Sequence, residues 1–528
     1  MVETIYSLIP PVLALLMVIV TRRVLLSLGA GIVVGALMLN FNSGENFISL
    51  TDNVLINSVK QIAAIVFAIF IDEGAINSWE LYIIFFLLLL GMIAALIAVT
   101  GGSRAFGEWA MSRVKTRVGA QLVTVLLGII IFIDDYFNSL TVGNVGRPLT
   151  DRHRVSRAKL AYLVDSTAAP MCVIAPVSSW GAYIITIIGG ILVTHSVTQW
   201  EALQAFVLIA PMNFYAIFAI LMVVAVVYFK LDLGQMRVHE QRAIETGEVV
   251  DKKKGPVPGD QGDVSTVVGK VGDLIWPIVT LIVATVFFMI TTGIQGTDGD
   301  ATILAIFENT HVAAALLYGG LVSLAVTLVL SFSRKLGLND IGLGLWAGIK
   351  SMLPAIYILI FAWTIITIIN DLGTGIYLAE EVVKKLNMSV AYLPVILFII
   401  AGFMAFSTGT SWGTFGIILP IAGDIAAATD ISLMLPILAA VLAGSIFGDH
   451  CSPISDTTIL SSTGAGSHHI DHVMTQLPYA LMIAGVSIVG YLVLGLTGSA
   501  IIGFLAAAAA FVGVVFVLKK IVPALKGA

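Results

Sequence analysis

The stretch Gly444-Ser445-Ile446-Phe447-Gly448-Asp449-His450-Cys451-Ser452-Pro453-Ile454-Ser455-Asp456-Thr457-Thr458 limits most severely what this chain can fold into. Its flanks, Met434–Leu442 and Ile459-Leu460, are apolar enough to call for a membrane-spanning helix. Yet two aspartates, a histidine, a proline and a run of hydroxyls stand between them. An ionised carboxylate held at the bilayer centre costs about 2.5–3.5 kcal/mol on insertion scales. A helix broken at Pro453 also frees backbone carbonyls, which is tolerable only where the segment lines a cavity enclosed by protein. Carboxylates, hydroxyls and free carbonyls together are the ligands that hard cations prefer. The stretch therefore reads as a cation and proton site inside a membrane.

The rest of the chain agrees. Hydrophobic residues make up 58% of 528 and charged residues 11%, a composition far from that of a soluble globular protein. Runs such as Leu81–Val99, Leu203–Phe229, Ile275–Ile290 and Leu481–Leu496 reach or approach the length that crosses about 30 Å of hydrocarbon. The chain reads as an all-α polytopic membrane protein, with spans near 5–20, 24–40, 79–99, 118–133, 160–192, 203–229, 274–294, 312–332, 346–369, 391–405, 431–460, 474–496 and 499–518. Val54–Ile71 is a shorter apolar piece, expected along the membrane surface. The first apolar run is followed, not preceded, by Arg22-Arg23, so it reads as a true span rather than a cleaved signal. Two cysteines, Cys172 and Cys451, make no disulfide framework. There is no Walker A sequence and no dinucleotide fingerprint after a strand. The chain is therefore expected to be no enzyme and to use no cofactor, its energy coming from an ion gradient.

Basic residues set the expected orientation. Of the 27 Lys and Arg, all but Lys60, Lys384 and Lys385 fall on one set of loops, read as cytoplasmic. That pattern places the N-terminus outside and the C-terminus inside. It closes only if two segments enter the membrane and return on the same side: a hairpin about 119–148 from the cytoplasm, and a hairpin about 390–430 from outside. Each is followed by a span broken at proline and hydroxyls, about 160–192 and about 431–460. Opposite entry of matching units is the mark of an inverted repeat. The chain thus divides into a first transmembrane half, 1–229, and a second, 274–528. The hydrophilic, Gly/Pro-punctuated segment 230–273 between them reads as a solvated cytoplasmic connector without an apolar face.

Several residues carry chemistry on this reading. Asp134 and Asp135 stand at the approach to the first hairpin tip, Asn138-Ser139-Leu140-Thr141, and adjacent carboxylates in low dielectric are suited to carrying protons. Asp165, before Pro170, is either an ion ligand or the cap of a broken helix. Asp449 and Asp456 flank Pro453, so their relative orientation cannot be read from spacing. His468, His469 and His472 fall in a segment read as a short exposed loop, where clustered histidines as a rule do nothing measurable.

With these residues in view, the chain resembles the NhaC-type sodium/proton antiporter family. The stretches that carry the likeness are Asp134–Gly143, Asp165–Pro170, Pro176–Gly181, Gly448–Thr458 and His469–Tyr479. The resemblance implies the ion-transporter architecture: inverted repeats, paired re-entrant hairpins, a scaffold that dimerises, and elevator-type motion in the inner membrane of a prokaryote. Relatives exchange sodium for protons, exchange organic acids, or carry amino acids with sodium. The expected function is exchange of Na⁺ for H⁺. The alternative is a Na⁺-coupled carrier of an amino acid or small carboxylate, with Trp180 and Trp412 lining its pocket. Asp134, Asp135 and Asp449 are the expected proton carriers. The expected ion or substrate ligands are Asn138, Ser139, Thr141, Ser178, Ser179, Thr410, Ser411, Ser455 and Asp456, with Na⁺ at Asn138, Ser139, Ser178, Ser455 and Asp456. The partners are the lipid bilayer, Na⁺ and H⁺, a small organic substrate on the alternative reading, and a second copy of the chain; no nucleic acid is expected.

Overall fold

The computed structural model describes residues 2–21, 23–41, 47–72, 74–132, 134–176, 178–255, 257, 269–297, 302–374, 377 and 390–525. The apolar windows become helices, some with proline inside, and several more polar segments join them. In the first half these are α1 (Ile9–Thr21), α2 (Val24–Asn40), α3 (Phe47–Ala68), α4 (Ser78–Val99), α5 (Gly102–Arg113), α6 (Arg117–Ile130), α7 (Asp135–Arg152), α8 (Arg157–Ile174), α9 (Ser179–Thr194), α10 (Ala202–Ile209) and α11 (Phe214–Phe229). Helix α12 (Gly234–Thr246) follows between the halves. The second half holds α13 (Gly272–Gly296), α14 (Ile303–Glu308), α15 (Val312–Ser333), α16 (Leu338–Asp371), α17 (Leu393–Thr408), α18 (Ser411–Thr429), α19 (Met434–Cys451), α20 (Asp456–Ala465), α21 (His469–Thr497) and α22 (Ala500–Ile521). A two-residue antiparallel pair, β1 (Ile71–Asp72) with β2 (Ala75–Ile76), is the sheet among the described residues. Among the described residues, 7 helices suffice by length and hydropathy to cross a membrane, and up to 8 if the bent pair Ala202–Met212 and Phe214–Phe229 counts as one. The chain is an all-helical polytopic membrane protein.

Two helix–break–helix units occur in each half. Helices α6 and α7 are joined through residues 131–134, and both pack on α8; α17 and α18 are joined at Gly409-Thr410, and both pack on α19. The second kind of unit is the helix interrupted at hydroxyls and proline. Helix α8 stops at Ile174 and α9 restarts at Ser179; α19 stops at Cys451 and α20 restarts at Asp456. The restarts are capped alike. Ser178 Oγ accepts from the Gly181 N–H, and Ser455 Oγ accepts from the Thr458 N–H, satisfying donors that an interrupted helix would leave open.

The halves interlock. Helix α7 packs on α20, and α18 packs on α9. The first of these joints needs glycine on both sides: a Cβ at Gly143 would strike the backbone at Gly464, and one at Gly464 would strike the Ser139 carbonyl. Gly409, at φ +70°, turns the α17–α18 unit where a Cβ would press on Ile454 in the other break.

The connector departs from expectation. Helix α12 is anchored, not solvated, with Met236, His239, Glu240 and Ala243 buried at helical spacing against α8 and α21. Glu240, fully buried, pairs with Arg117 at the start of α6 and with Lys159 of α8 (3.2 Å), and accepts from the Ser156 N–H (2.7 Å). Lys159 also meets buried Asp232 at 2.6 Å. Burial opposes a charge on Glu240, but Lys159 and Arg117 outweigh it and hold its carboxyl below the usual glutamate range. The notion of a connector without an apolar face fails because one turn of alternation is enough to make a face.

Candidate functional site

The four helix interruptions bring acidic side chains from both halves together. Asp135 opens α7, Asp449 lies in the last turn of α19, and Asp456 opens α20. Asp134, Asp456 and Asp449 are the acidic groups that surround Asp135. Asp134, Asp135 and Asp449 are buried and Asp456 is half-buried. Among the described residues, Lys and Arg form ion pairs elsewhere and none with Asp135, Asp449 or Asp456. Several carboxylates confined to low dielectric without a basic partner cannot all stay ionised unless a cation or proton joins them.

Each carboxylate is held by few donors. Trp180 Nε1, in the first turn of α9, donates to Asp135 Oδ1 at 2.8 Å. Ser411 Oγ, the start of α18, donates to Asp449 Oδ2 at 2.9 Å. The Tyr136 hydroxyl donates to Asp456 Oδ2, one of several links between the halves, while Asp456 Oδ1 accepts from the Thr457 N–H at 2.8 Å. Asp135 Oδ2 and Asp449 Oδ1 are buried with no hydrogen-bond partner among the described residues, as are Asn138 Oδ1 and Thr141 Oγ1. A buried acceptor left open costs about 1–3 kcal/mol, so these four oxygens are available to a proton or a hard cation.

The remaining expected ligands divide into engaged and available groups. Asn138 Nδ2 donates to the Gly128 and Ile131 carbonyls at 2.7 and 2.5 Å, closing the end of α6, and leaves only Oδ1 open. Ser139 Oγ lies 3.0 Å from Ser461 Oγ. Ser178 Oγ donates to the Cys172 and Ala175 carbonyls and accepts from Gly181, so its proton and one lone pair serve the break. Ser455 Oγ lies 2.9 Å from Thr457 Oγ1 and also caps α20. Thr410 is half-buried at the hairpin tip. The side chain of Ser179 lies outside the described residues. No three His, Cys, Asp or Glu among the described residues converge as a metal-binding group. A cation here would therefore also draw on amide, hydroxyl and backbone oxygens.

Two sequence expectations change. Asp165 is no cap: it sits inside α8, 1% exposed, and its carboxylate faces the other half. His469 and His472 do not occupy an exposed loop; they open α21 and are 6% and 0% exposed. The loop reading fails because hydrophilic residues need not be solvated: His469 meets Ser462 and the Pro453 carbonyl, and His472 meets Asp165. Tyr136, His450 and Gln476 were missed as participants. Each lay inside or beside a motif already singled out, but what it touches is decided by tertiary packing.

The sequence profile described as the Na⁺/H⁺ antiporter family matches residues 171–496, which include both broken-helix restarts, α17–α20 and most of α21. An uncharacterized protein of Haemophilus influenzae is 49% identical over 524 residues, 98% of this chain and 96% of that one. A malate-2H⁺/Na⁺-lactate antiporter of Bacillus subtilis is 30% identical over 177 residues, 33% of this chain and 35% of that protein. An uncharacterized Na⁺/H⁺ antiporter of Haemophilus influenzae is 34% identical over 145 residues, 27% of this chain and 30% of that protein. The profile match spans more than half of the sequence, includes Asp449 and Asp456 at the second helix break, and leads to one conclusion: this chain belongs to the Na⁺/H⁺ antiporter family.

Proposed function

We propose that this protein is a secondary transporter that exchanges Na⁺ for H⁺ across a cytoplasmic membrane. The observation that carries the reading is the meeting of Asp135, Asp449 and Asp456 without an ion pair to Lys or Arg among the described residues. A site of this kind favours one cation or one or more protons, not both, because each neutralises the same charge. Competition for one set of carboxylates is the simplest physical basis for exchange.

Asp456, Asn138 and Ser139, with the open oxygens of Asp135, Asp449 and Thr141, form the cation-binding set in this reading, with Asp134, Asp135 and Asp449 carrying protons. Alternating access then proceeds by movement of the interlocked hairpins and broken helices relative to the flanking helices, and the excess of Lys and Arg on one set of loops puts the C-terminus in the cytoplasm.

A second reading draws on the partial likeness to a malate/lactate antiporter. Tyr183 stacks on Trp412 with ring centroids 4.8 Å apart, both half-buried beside the carboxylates, and would give an organic solute an apolar face. The deciding experiment uses purified protein in liposomes carrying an internal pH dye. Proton movement on addition of Na⁺ alone supports the exchange reading. Na⁺ flux that appears only when an amino acid or small carboxylate is supplied overturns it in favour of the second.

A further inference from the structure

A second buried polar cluster lies beside the carboxylates of the exchange site. Asp165 Oδ2 accepts from Gln476 Nε2 at 2.6 Å, from His472 Nε2 at 3.1 Å and from Thr458 Oγ1 at 3.4 Å, and His450 Nε2 lies 3.7 Å away. Its other oxygen, Oδ1, lies 3.0 Å from Ser461 Oγ. A carboxylate with this many donors stays anionic, and its only ion-pair partners among the described residues are two histidines. A buried charge wants a compensating charge, so protonation of a histidine completes the cluster.

The two histidines are not equivalent. His450 is engaged at both ring nitrogens: Nδ1 lies 2.9 Å from the Tyr215 hydroxyl, and Nε2 lies 3.3 Å from Ser166 Oγ. His472 directs Nε2–H to Asp165, and its Nδ1 is buried with no partner among the described residues. That nitrogen is an open base. A proton arriving there makes an imidazolium paired with the Asp165 carboxylate, and its departure restores the neutral ring. Other titratable groups face the pair from the packed elements: Tyr215 from α11, Asp449 and Cys451 on either side of His450 from α19, and His469 on α21 itself. Asp471 on α21 turns instead to the connector, meeting Lys254 at 2.5 Å and His239 at 3.9 Å.

The cluster is wired to the cation-binding set. Ser461 Oγ lies 3.0 Å from Asp165 Oδ1 and 3.0 Å from Ser139 Oγ, so a single hydroxyl bridges the histidine pair and the first hairpin tip. We propose that the Asp165–His472 pair is a proton-binding site of the transporter, coupled to cation binding through the Ser461 and Ser139 hydroxyls. It rests on the exchange reading for its role but not for its existence.

Histidine-selective isotope labelling of the full-length protein in detergent gives one imidazole signal for each of the 8 histidines. The signal missing in His472→Gln identifies His472; if that variant is not recovered, single Gln variants of the other seven histidines assign it by elimination. The expected result is a titrating His472 whose midpoint falls as Na⁺ rises, by up to about one pH unit per tenfold in Na⁺ where one proton and one Na⁺ exclude each other. Ser461→Ala should weaken that dependence. A His472 that does not titrate between mildly acidic and alkaline pH, or titrates indifferently to Na⁺, overturns the proposal. A Na⁺-linked titration in a protein that moves no protons in liposomes upholds the site and sinks the exchange reading, so the two failures are distinguishable.

Discussion

The two helix–break pairs, α6–α9 and α17–α20, share a plan but not a charge pattern. Both interrupted helices restart on a serine cap. In the first pair the carboxylates Asp134 and Asp135 stand on the hairpin and the helix break offers hydroxyls. In the second the hairpin tip offers Thr410 and Ser411 and the carboxylates Asp449 and Asp456 stand on the broken helix. Each acidic element is then held by a donor from the other element of its own pair, Trp180 for Asp135 and Ser411 for Asp449. The arrangement lets two similar scaffolds meet without stacking four carboxylates on equivalent positions, where like charges would repel at closest range. Repetition supplies the shape and divergence supplies the chemistry.

The sharpest test of that comparison is to neutralise one carboxylate from each pair. Asp456→Asn keeps size and removes the charge that offsets desolvation of Na⁺, which should cost about 3–5 kcal/mol, or at least roughly a hundredfold in apparent Na⁺ affinity. Asp135→Asn should cost a comparable amount if both pairs contribute. Na⁺-dependent transport rates across mildly acidic to alkaline pH would read both. If Asp456→Asn matches the parent, the cation-binding set has been drawn in the wrong place; if only Asp135→Asn matches it, the second pair acts alone.

A second difference between the pairs is the connector. Arg117 of α6 and Lys159 of α8 are tied to Glu240 of α12, so the first pair carries an ionic anchor. Glu240→Ala leaves Arg117 without its carboxylate while Lys159 keeps Asp232, so the expected loss is near the low end for a broken buried pair, about 3 kcal/mol. Unfolding in detergent measures it. Because the folded-state pKa of Glu240 is lowered, its contribution is present above the usual glutamate range and is lost as pH falls through the folded value. The parent should therefore lose stability on acidification more steeply than the variant. Equal pH dependence would show that the anchor is not ionic in effect.

This anchor marks where the sequence stopped being legible. The helix breaks were readable because proline, serine and glycine interrupt otherwise unbroken apolar runs around Ala175–Ser178 and Ser452–Ser455. The grouping of Asp134, Asp135, Asp449 and Asp456 was anticipated as a role, since intramembrane carboxylates need a function to offset their cost. Contacts were a different matter. Asp165 and His472 are 307 positions apart, and nothing in either neighbourhood names the other. Met236, Glu240 and Ala243 do carry a local signal, an apolar face with one buried acid at helical spacing, but it is short enough to pass for solvated alternation.

The joint between the pairs predicts a smaller effect. Gly464→Ala forces α20 away from the Ser139 carbonyl and should cost about 1–3 kcal/mol through overpacking. Gly485 has open space where a Cβ would go, so Gly485→Ala in the middle of α21 should be neutral, or stabilise by up to about 1 kcal/mol through helix propensity. Unfolding in detergent compares the two. Equal outcomes would mean that the α7–α20 contact is looser than the packing of Gly143 against Gly464 requires.

The smallest expected effect bears directly on whether the two breaks are equivalent. Ser178 and Ser455 occupy matching cap positions, and replacing either with alanine should cost about 1 kcal/mol of stability. Their consequences for the cation should differ. The Ser178 hydroxyl serves two carbonyls and one N–H of its own break, so it is turned to the backbone rather than to the acidic side of the site. The Ser455 hydroxyl lies 2.9 Å from Thr457 Oγ1 and next in the chain to Asp456, so it belongs to the acidic side of the site. Ser455→Ala should lower apparent Na⁺ affinity by roughly two- to tenfold, in line with the ~0.5–1.5 kcal/mol of one ordinary hydrogen bond or ligand oxygen, while Ser178→Ala should leave it unchanged once stability is accounted for. Parallel Na⁺ titrations of the two variants decide the matter. Matching losses in both would make the breaks functional equals and remove the charge asymmetry as the reason for their divergence.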